Sequence, residues 1–163
     1  MTQTTGYSAT QIALHWIVAL LVAGQYVFKD SIAASWDAYT LGQEIDVSPL
    51  VFSHVAGGVV ILVLVVWRLV LRLNRGAPPA PENEPGVLRT LSHAAHWGFY
   101  ALLAAMSVTG AMIWFGDVRA AAEAHNALKV ALLALIVLHV LAIPVHRIVF
   151  KSDVMRRMTR PAA

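Results

Sequence analysis

The sequence contains no cysteine, and few of its residues are charged. The absence of cysteine excludes disulfide bonds, thiolate-bound zinc, cysteine-ligated iron–sulfur clusters and covalent attachment of haem through a CxxCH motif. Only 13% of the residues are charged and 58% are hydrophobic, whereas soluble domains carry about 25% charged residues. The composition therefore predicts an integral membrane protein with a lipid environment and no nucleic-acid partner. The 163 residues are enough for one domain.

Four stretches without acidic residues are long enough to cross a bilayer, whose hydrocarbon core of about 30 Å needs about 20 residues. The predicted spans cover about residues 10–29, 51–72, 91–115 and 124–150. The first ten residues lack the basic n-region of a signal peptide, so we interpret the first span as retained. The segment GAPPAPENEPG, rich in Pro and Gly, predicts a loop between the second and third spans. The predicted fold is an all-α, four-helix membrane bundle over residues 1–163.

Lysine and arginine are distributed unevenly between the two sides of this predicted bundle. Nine lie in or beside the second-to-third connector and the C-terminal tail, against three on the opposite side. Because cytoplasmic loops carry an excess of basic residues, we expect both termini in the cytoplasm. The opposite side, with its acidic first connector, is expected to face the periplasm across a bacterial inner membrane.

Histidine is the strong metal-ligating residue that remains, and four of the 7 histidines can be paired by depth. His125 and His139 share one face of the fourth span and are about 21 Å apart along the helix axis. The alternating directions of the spans place His54 at the depth of His125, near the periplasmic side. They place His15 near the cytoplasmic side. His139 and His146 are both candidates for the partner of His15, and depth does not choose between them.

Two imidazoles at one depth suit bis-histidine haem ligation, since haem iron takes axial ligands on both faces of a flat ring. Two such pairs on facing helices would hold two b haems and provide an electron path across the membrane. Gly57 and Gly58 follow His54 and would let a macrocycle lie close to the helix backbone. Zinc and di-iron centres are alternatives, but a di-iron bundle needs Glu in ExxH motifs and the predicted spans contain no Glu. A structural bundle with incidental histidines is a third alternative.

Other side chains near the two surfaces are candidate contacts. His93 and His96 share a face at the cytoplasmic start of the third span, and are either interfacial residues or contacts of a haem propionate or a quinone. Lys129 lies one turn from His125, where it can snorkel to the interface, contact a propionate or attract an anion.

Five segments, spread over almost the whole chain, resemble the bacterial di-haem cytochrome b561 family. They are YSATQIALHW, FSHVAGGVVILVLVVWRLVLRL, LSHAAHWGFYALL, AHNALK and VLHVLAIPVHRIVFKSDVMRRM. The last segment is the most specific of the five.

This resemblance implies the axial pairs His15 with His139 on the cytoplasmic side and His54 with His125 on the periplasmic side. It implies that His146 is not a ligand and lies by a cytoplasmic quinone site. It also implies electron transfer between two b haems and ubiquinone, with superoxide oxidised at the periplasmic face. The alternative function is a cytochrome b subunit that passes electrons between a separate periplasmic redox partner and the quinone pool.

Overall fold

The computed structural model describes residues 6–80, 84–152 and 154–162, and its regular secondary structure in these ranges is helical. The helices are α1 (Ala9–Val27), α2 (Lys29–Thr40), α3 (Pro49–Arg75), α4 (Gly86–Gly116), α5 (Ala121–Ile148) and α6 (Val154–Arg157). Helices α1, α3, α4 and α5 are long and apolar enough to cross a membrane. Each predicted span overlaps one of these four helices, and the predicted all-α membrane fold with four candidate spans is confirmed.

Local sequence signals account for several helix ends. Ser8 and Gln11 form a capping box at the start of α1, in which the Gln11 amide N–H donates to the Ser8 hydroxyl at 3.3 Å. Pro49 occupies the first position of α3, where its missing N–H costs no hydrogen bond. Gly76 ends α3 with a φ of 76°, in the left-handed region that favours glycine. Pro144 removes one internal hydrogen bond, yet α5 continues past it to Ile148.

Helix α2 differs from the prediction, which assigned a polar connector to this segment. Asp30 lies in its first turn, where a carboxylate stabilises the helix dipole, and it pairs with Lys29 at 2.5 Å. The Tyr39 hydroxyl bonds to the Asp117 carboxylate and accepts from the Arg119 guanidinium at 3.0 Å. These contacts tie α2 to the α4–α5 connector. The low hydrophobicity of α2 is the reason that apolar periodicity did not reveal it.

The four spanning helices pack in the order α1 with α3, α3 with α4, and α4 with α5. The start of α1, the described part of the tail and the residues that follow α3 lie at one end of the bundle, which we call the terminal end. There the Ala162 amide donates to the Tyr7 carbonyl at 3.0 Å and the Trp16 indole donates to the Met158 carbonyl at 2.8 Å. Helix α2 and the α4–α5 connector lie at the opposite end, the α2 end. The charge distribution predicts that the terminal end faces the cytoplasm.

The centre of the bundle is a small cluster of buried aliphatic side chains. We call it the apolar layer; its members are Val18, Val22, Ile61 and Val65. Its two residues on α1 and its two on α3 each have i, i+4 spacing, so both pairs lie on the inward face of their helix. Along α3 the layer separates His54 from Arg68, and along α1 it follows His15. The apolar layer therefore lies between the two predicted histidine levels.

Candidate functional site

At the terminal end, His15 on α1 faces His139 on α5. Their ring centroids are 6.4 Å apart and their planes are inclined by 60°. A metal–imidazole bond is about 2 Å long, so two imidazoles on opposite sides of one metal ion have centroids roughly 6 Å apart. The spacing of this pair therefore suits a single metal ion held between the two rings.

Helix α4 adds two more rings to this terminal-end pair. The centroid of the His96 ring is 6.0 Å from that of His139, and the Phe99 ring lies 5.2 Å from it on edge. The His96 Nδ1 donates to the Ser92 carbonyl at 2.5 Å, which leaves Nε2 as the unprotonated nitrogen of a neutral ring. His96 is thus oriented by its own helix and lies beside the candidate axial pair.

Arg68, one of the nine basic residues that predict the orientation, lies beside His15. One of its terminal nitrogens, Nη2, lies 3.4 Å from the His15 Nδ1. Its other terminal nitrogen, Nη1, is buried without a hydrogen-bond partner among the described residues. A buried guanidinium with a spare donor fits a carboxylate such as a haem propionate.

At the α2 end, His54 on α3 and His125 on α5 line one cavity between the helices, together with Gln25, Tyr26 and Gly58. A Cβ added to Gly58 would meet no atom within 4 Å, so this glycine faces open space. Gly57, in contrast, lies against the amide of Gln25, which a Cβ there would displace. Gly58 therefore fits the predicted role of giving a macrocycle access, whereas Gly57 accommodates a neighbouring side chain.

A hydrogen bond to Thr109 fixes the tautomer of His125. The Thr109 hydroxyl lies 2.9 Å from the His125 Nδ1 and 2.7 Å from the Ala105 carbonyl. Its single hydrogen goes to the carbonyl, so its oxygen accepts the proton of Nδ1. The Nε2 of His125 is then unprotonated and available to a metal ion, as in metal-binding histidines that donate their other N–H to an oxygen. Gly110 allows the close approach, since a Cβ there would lie 3.3 Å from the His125 Cε1.

Gln25 lies beside His54, but its hydrogen bond is to the backbone of this residue and not to its ring. The Gln25 side-chain amide donates to the His54 backbone carbonyl at 3.1 Å. The Gln25 Oε1 and the His54 Nδ1 are buried and without a hydrogen-bond partner in the part of the chain that the structure describes. Buried polar atoms are usually paired, so these two indicate a site that a bound group completes.

Lys129 lies at the α2 end, where α5 meets α1. Its carbonyl accepts from the Tyr26 hydroxyl at 2.7 Å, and its ammonium donates to the Asn126 side-chain oxygen at 2.9 Å. The two other basic residues at this end, Lys29 and Arg119, lie 2.5 Å and 3.8 Å from an Asp carboxylate. Asn126 is neutral, so the charge of Lys129 is not offset by the partner that the structure gives it.

The two remaining predicted residues lie apart from these pairs. His93 is exposed, and its Nε2 accepts from the Trp97 indole at 2.9 Å. His146 lies near the end of α5, where its Nε2 is 3.7 Å from a carboxylate oxygen of Glu84. Glu84 lies in a loop and belongs to no recognisable motif, so it was not predicted as a site residue. The structure thus brings together His15, His96 and His139, brings together His54 and His125, and leaves His93 and His146 outside both groups.

Within the described ranges, no group of three or more His, Asp or Glu residues is arranged to hold a metal ion. This result gives no support to the zinc and di-iron alternatives. Two facing imidazoles at one depth of a four-span bundle, and two histidines that line one cavity at another depth, are instead typical of a membrane cytochrome b.

Sequence comparison agrees with this class of protein. Residues 6–161 match the prokaryotic cytochrome b561 family, and the chain belongs to that family. It is 29% identical over 167 residues to cytochrome b562 of Cereibacter sphaeroides, an alignment that covers 99% of both chains. It is 30% identical over 179 residues to the probable superoxide oxidase CybB of Yersinia pestis, covering 93% of this chain and 94% of the relative.

The protein is therefore a multi-pass protein of the bacterial inner membrane that functions in electron transfer as a membrane cytochrome b. The family implies a b-type haem. The residues present fit this cofactor at both levels. The ring spacing of the terminal-end pair, the spare donor of Arg68 and the unpaired polar atoms of the α2-end cavity each suit a bound haem.

Proposed function

We propose that the protein holds two b haems, one at each end of the bundle, and transfers electrons from superoxide at the periplasmic face to ubiquinone at the cytoplasmic face. The observation that carries this proposal is the pairing of imidazoles at two depths, with α5 supplying one histidine to each pair. Bound at these levels, the haems would supply one-electron chemistry that connects the two faces.

His15 and His139 are the proposed axial ligands at the terminal end, and their centroid spacing of 6.4 Å supports this assignment. At the α2 end the ligands are His54 and His125. Thr109 supports the second assignment because it holds the proton of His125 on Nδ1 and leaves Nε2 for iron. Arg68 and His96 surround the terminal-end site, where Arg68 would bind a propionate.

Superoxide is the proposed electron donor at the α2 end. The likeness to a probable superoxide oxidase supports this substrate. Lys129 supports it physically, since a cation without a carboxylate partner attracts an anion toward the His125 level one turn away. Lys29 and Arg119 contribute less to the local field because an Asp lies beside each of them.

Ubiquinone is the proposed acceptor at the terminal end, beside His146. This histidine is seven residues beyond His139, which is about 10 Å along the helix axis. Its ring packs against that of Phe150, with centroids 5.8 Å apart, near the end of α5. Exposed aliphatic residues nearby, such as Val145 and Ile148, give a lipid-soluble substrate a route to this position.

Stopped-flow spectroscopy of the purified protein in detergent tests the proposal. Superoxide should reduce the haems rapidly without any added protein, and added ubiquinone should then reoxidise them with formation of quinol. Slow or absent reduction by superoxide, together with haem reoxidation by ubiquinone, would favour the alternative of a subunit that serves a separate redox partner. A purified protein without the spectrum of low-spin bis-histidine haem would overturn both functions.

A further inference from the structure

Glu84 is the one charged residue that is buried within the described ranges, with 6% of its surface exposed. It precedes Pro85 and the start of α4, at the terminal end of the bundle. Its carboxylate oxygen lies 3.7 Å from the His146 Nε2. The Glu84 side chain is 3% exposed and the His146 side chain 16% exposed, so the pair is largely shielded from solvent.

Contacts of the tail hold the chain together at the terminal end, where Glu84 lies. The Arg157 guanidinium on α6 donates to the Pro79 carbonyl at 2.7 Å, which ties the tail to the α3–α4 connector. The backbone N–H and the hydroxyl of Ser152 both donate to the His146 carbonyl, at 3.0 Å and 3.2 Å. These contacts hold α6 against the residues that follow α3 and hold Ser152 against the end of α5.

The pair has buried polar atoms that the described chain does not satisfy. The Glu84 Oε1 and the His146 Nδ1 are both buried without a hydrogen-bond partner among the described residues. A buried carboxylate and a buried ring nitrogen left unpaired each cost free energy, which a functional role can explain. The His146 ring is polar at both edges, with Nε2 toward Glu84 and Nδ1 on the other side. An imidazole placed in this way can take up a proton at one nitrogen and release one from the other.

We propose that Glu84 and His146 form a proton-transfer pair that supplies the protons consumed when ubiquinone is reduced. This inference rests on the proposed reduction of ubiquinone at the terminal end. Each quinone takes up two electrons, delivered one at a time from the haems, and two protons, and no bond to the protein forms or breaks. For the first proton, His146 releases one from Nδ1 to a quinone oxygen and takes one at Nε2 from the Glu84 carboxyl. Rotation of the ring then returns the proton to the quinone side, and the same two transfers supply the second proton. The Glu84 carboxylate is then reprotonated from the aqueous phase at the same end.

Reoxidation of pre-reduced haem isolates this step from the electron donor. The purified protein is reduced with stoichiometric dithionite, mixed with a short-chain ubiquinone, and followed at the haem α-band while quinol is measured. In Glu84→Gln we expect full haem content, unchanged reduction by dithionite, and reoxidation by ubiquinone about a hundredfold slower. Glu84→Asp keeps a carboxyl group and should recover part of the rate. Glu123→Gln, which removes an exposed carboxylate at the α2 end, is the matched control and should behave as the wild type.

A double-mutant cycle separates proton transfer from a structural role. His146→Gln should slow reoxidation as Glu84→Gln does, and the double variant should be no slower than either single variant, since both residues serve one path. Wild-type reoxidation rates in Glu84→Gln with full haem content would overturn the proton-transfer pair. If Glu84→Gln loses haem, Glu84→Asp and His146→Gln provide the same comparison. A wild-type protein that ubiquinone does not reoxidise would instead overturn the proposed quinone reaction itself, before any variant is compared.

Discussion

The hydrogen bond from His125 to Thr109 allows a quantitative test of the ligand at the α2 end. A donor N–H that is bonded to oxygen makes the imidazole a stronger base, and a more basic ligand stabilises ferric over ferrous iron. The substitution Thr109→Val keeps the shape of the side chain but removes the acceptor. If His125 is an axial ligand, this change should raise the midpoint potential of the haem at the α2 end.

The size of the shift follows from the strength of the bond that is lost. The Nδ1-to-Oγ1 distance of 2.9 Å indicates a normal hydrogen bond. Such a bond contributes about 0.5 to 1.5 kcal/mol, and 1.4 kcal/mol corresponds to about 59 mV for one electron. Only the difference in the strength of this bond between ferric and ferrous iron changes the potential, so the expected rise is at most about 60 mV. It should affect one of two haem components and leave the terminal-end component unchanged.

The assay is a redox titration of the haem α-band in the purified variant, resolved into two one-electron components. Thr109→Ser retains the hydroxyl and should restore the wild-type potential. Ser107→Ala removes another hydroxyl that lines the same cavity and serves as the control for a general change in polarity. If Thr109→Val retains both haems and both midpoint potentials stay at their wild-type values, the proposal that Thr109 supports His125 as an axial ligand is refuted.

Two further substitutions test the terminal-end ligands and the anion site. His139→Ala should leave one haem per chain by pyridine haemochrome and iron analysis, whereas His146→Ala and the exposed control His93→Ala should keep two; two haems in His139→Ala would contradict the pairing. Lys129→Gln should lower the second-order rate of haem reduction by superoxide about three- to tenfold at low ionic strength, because one unpaired cation is lost. Lys29→Gln, which removes a cation paired with a neighbouring carboxylate, should change this rate much less, and equal effects of the two variants would count against steering by Lys129.

The parts of this fold that depend on length and hydropathy could be predicted from the sequence. Four long apolar runs fix the number of spans, and their alternating directions fix the relative depth of each histidine. That reasoning placed His15 with His139 or His146, and the structure brings His15 to His139. It also placed His54 with His125, and both line one cavity. These placements follow from the regular rise of a helix, which sequence numbering reports directly.

Contacts that depend on helix rotation or on loop paths could not be predicted in this way. Thr109 meets His125 across two helices, and no pattern within α4 reveals that contact. Gln25 is a single amide in an apolar span, so hydropathy gives it no role. Glu84 lies in a Pro-rich connector that a sequence pattern assigns to solvent, yet it is buried beside His146. Helix α2 was missed because its mixed polar composition lacks an apolar stripe.

The apolar layer has an electrical consequence. It separates the two histidine levels, which are about 21 Å apart along α5. The hydrocarbon core of a membrane is about 30 Å thick, so the two levels enclose most of it. With no charged group among its four side chains, this stretch carries a large share of the voltage drop across the membrane. Moving one charge through the full potential costs about 2.3 kcal/mol per 100 mV. In the predicted orientation each electron travels toward the negative side, so an energised membrane would slow the reaction and each turnover would add to the membrane potential.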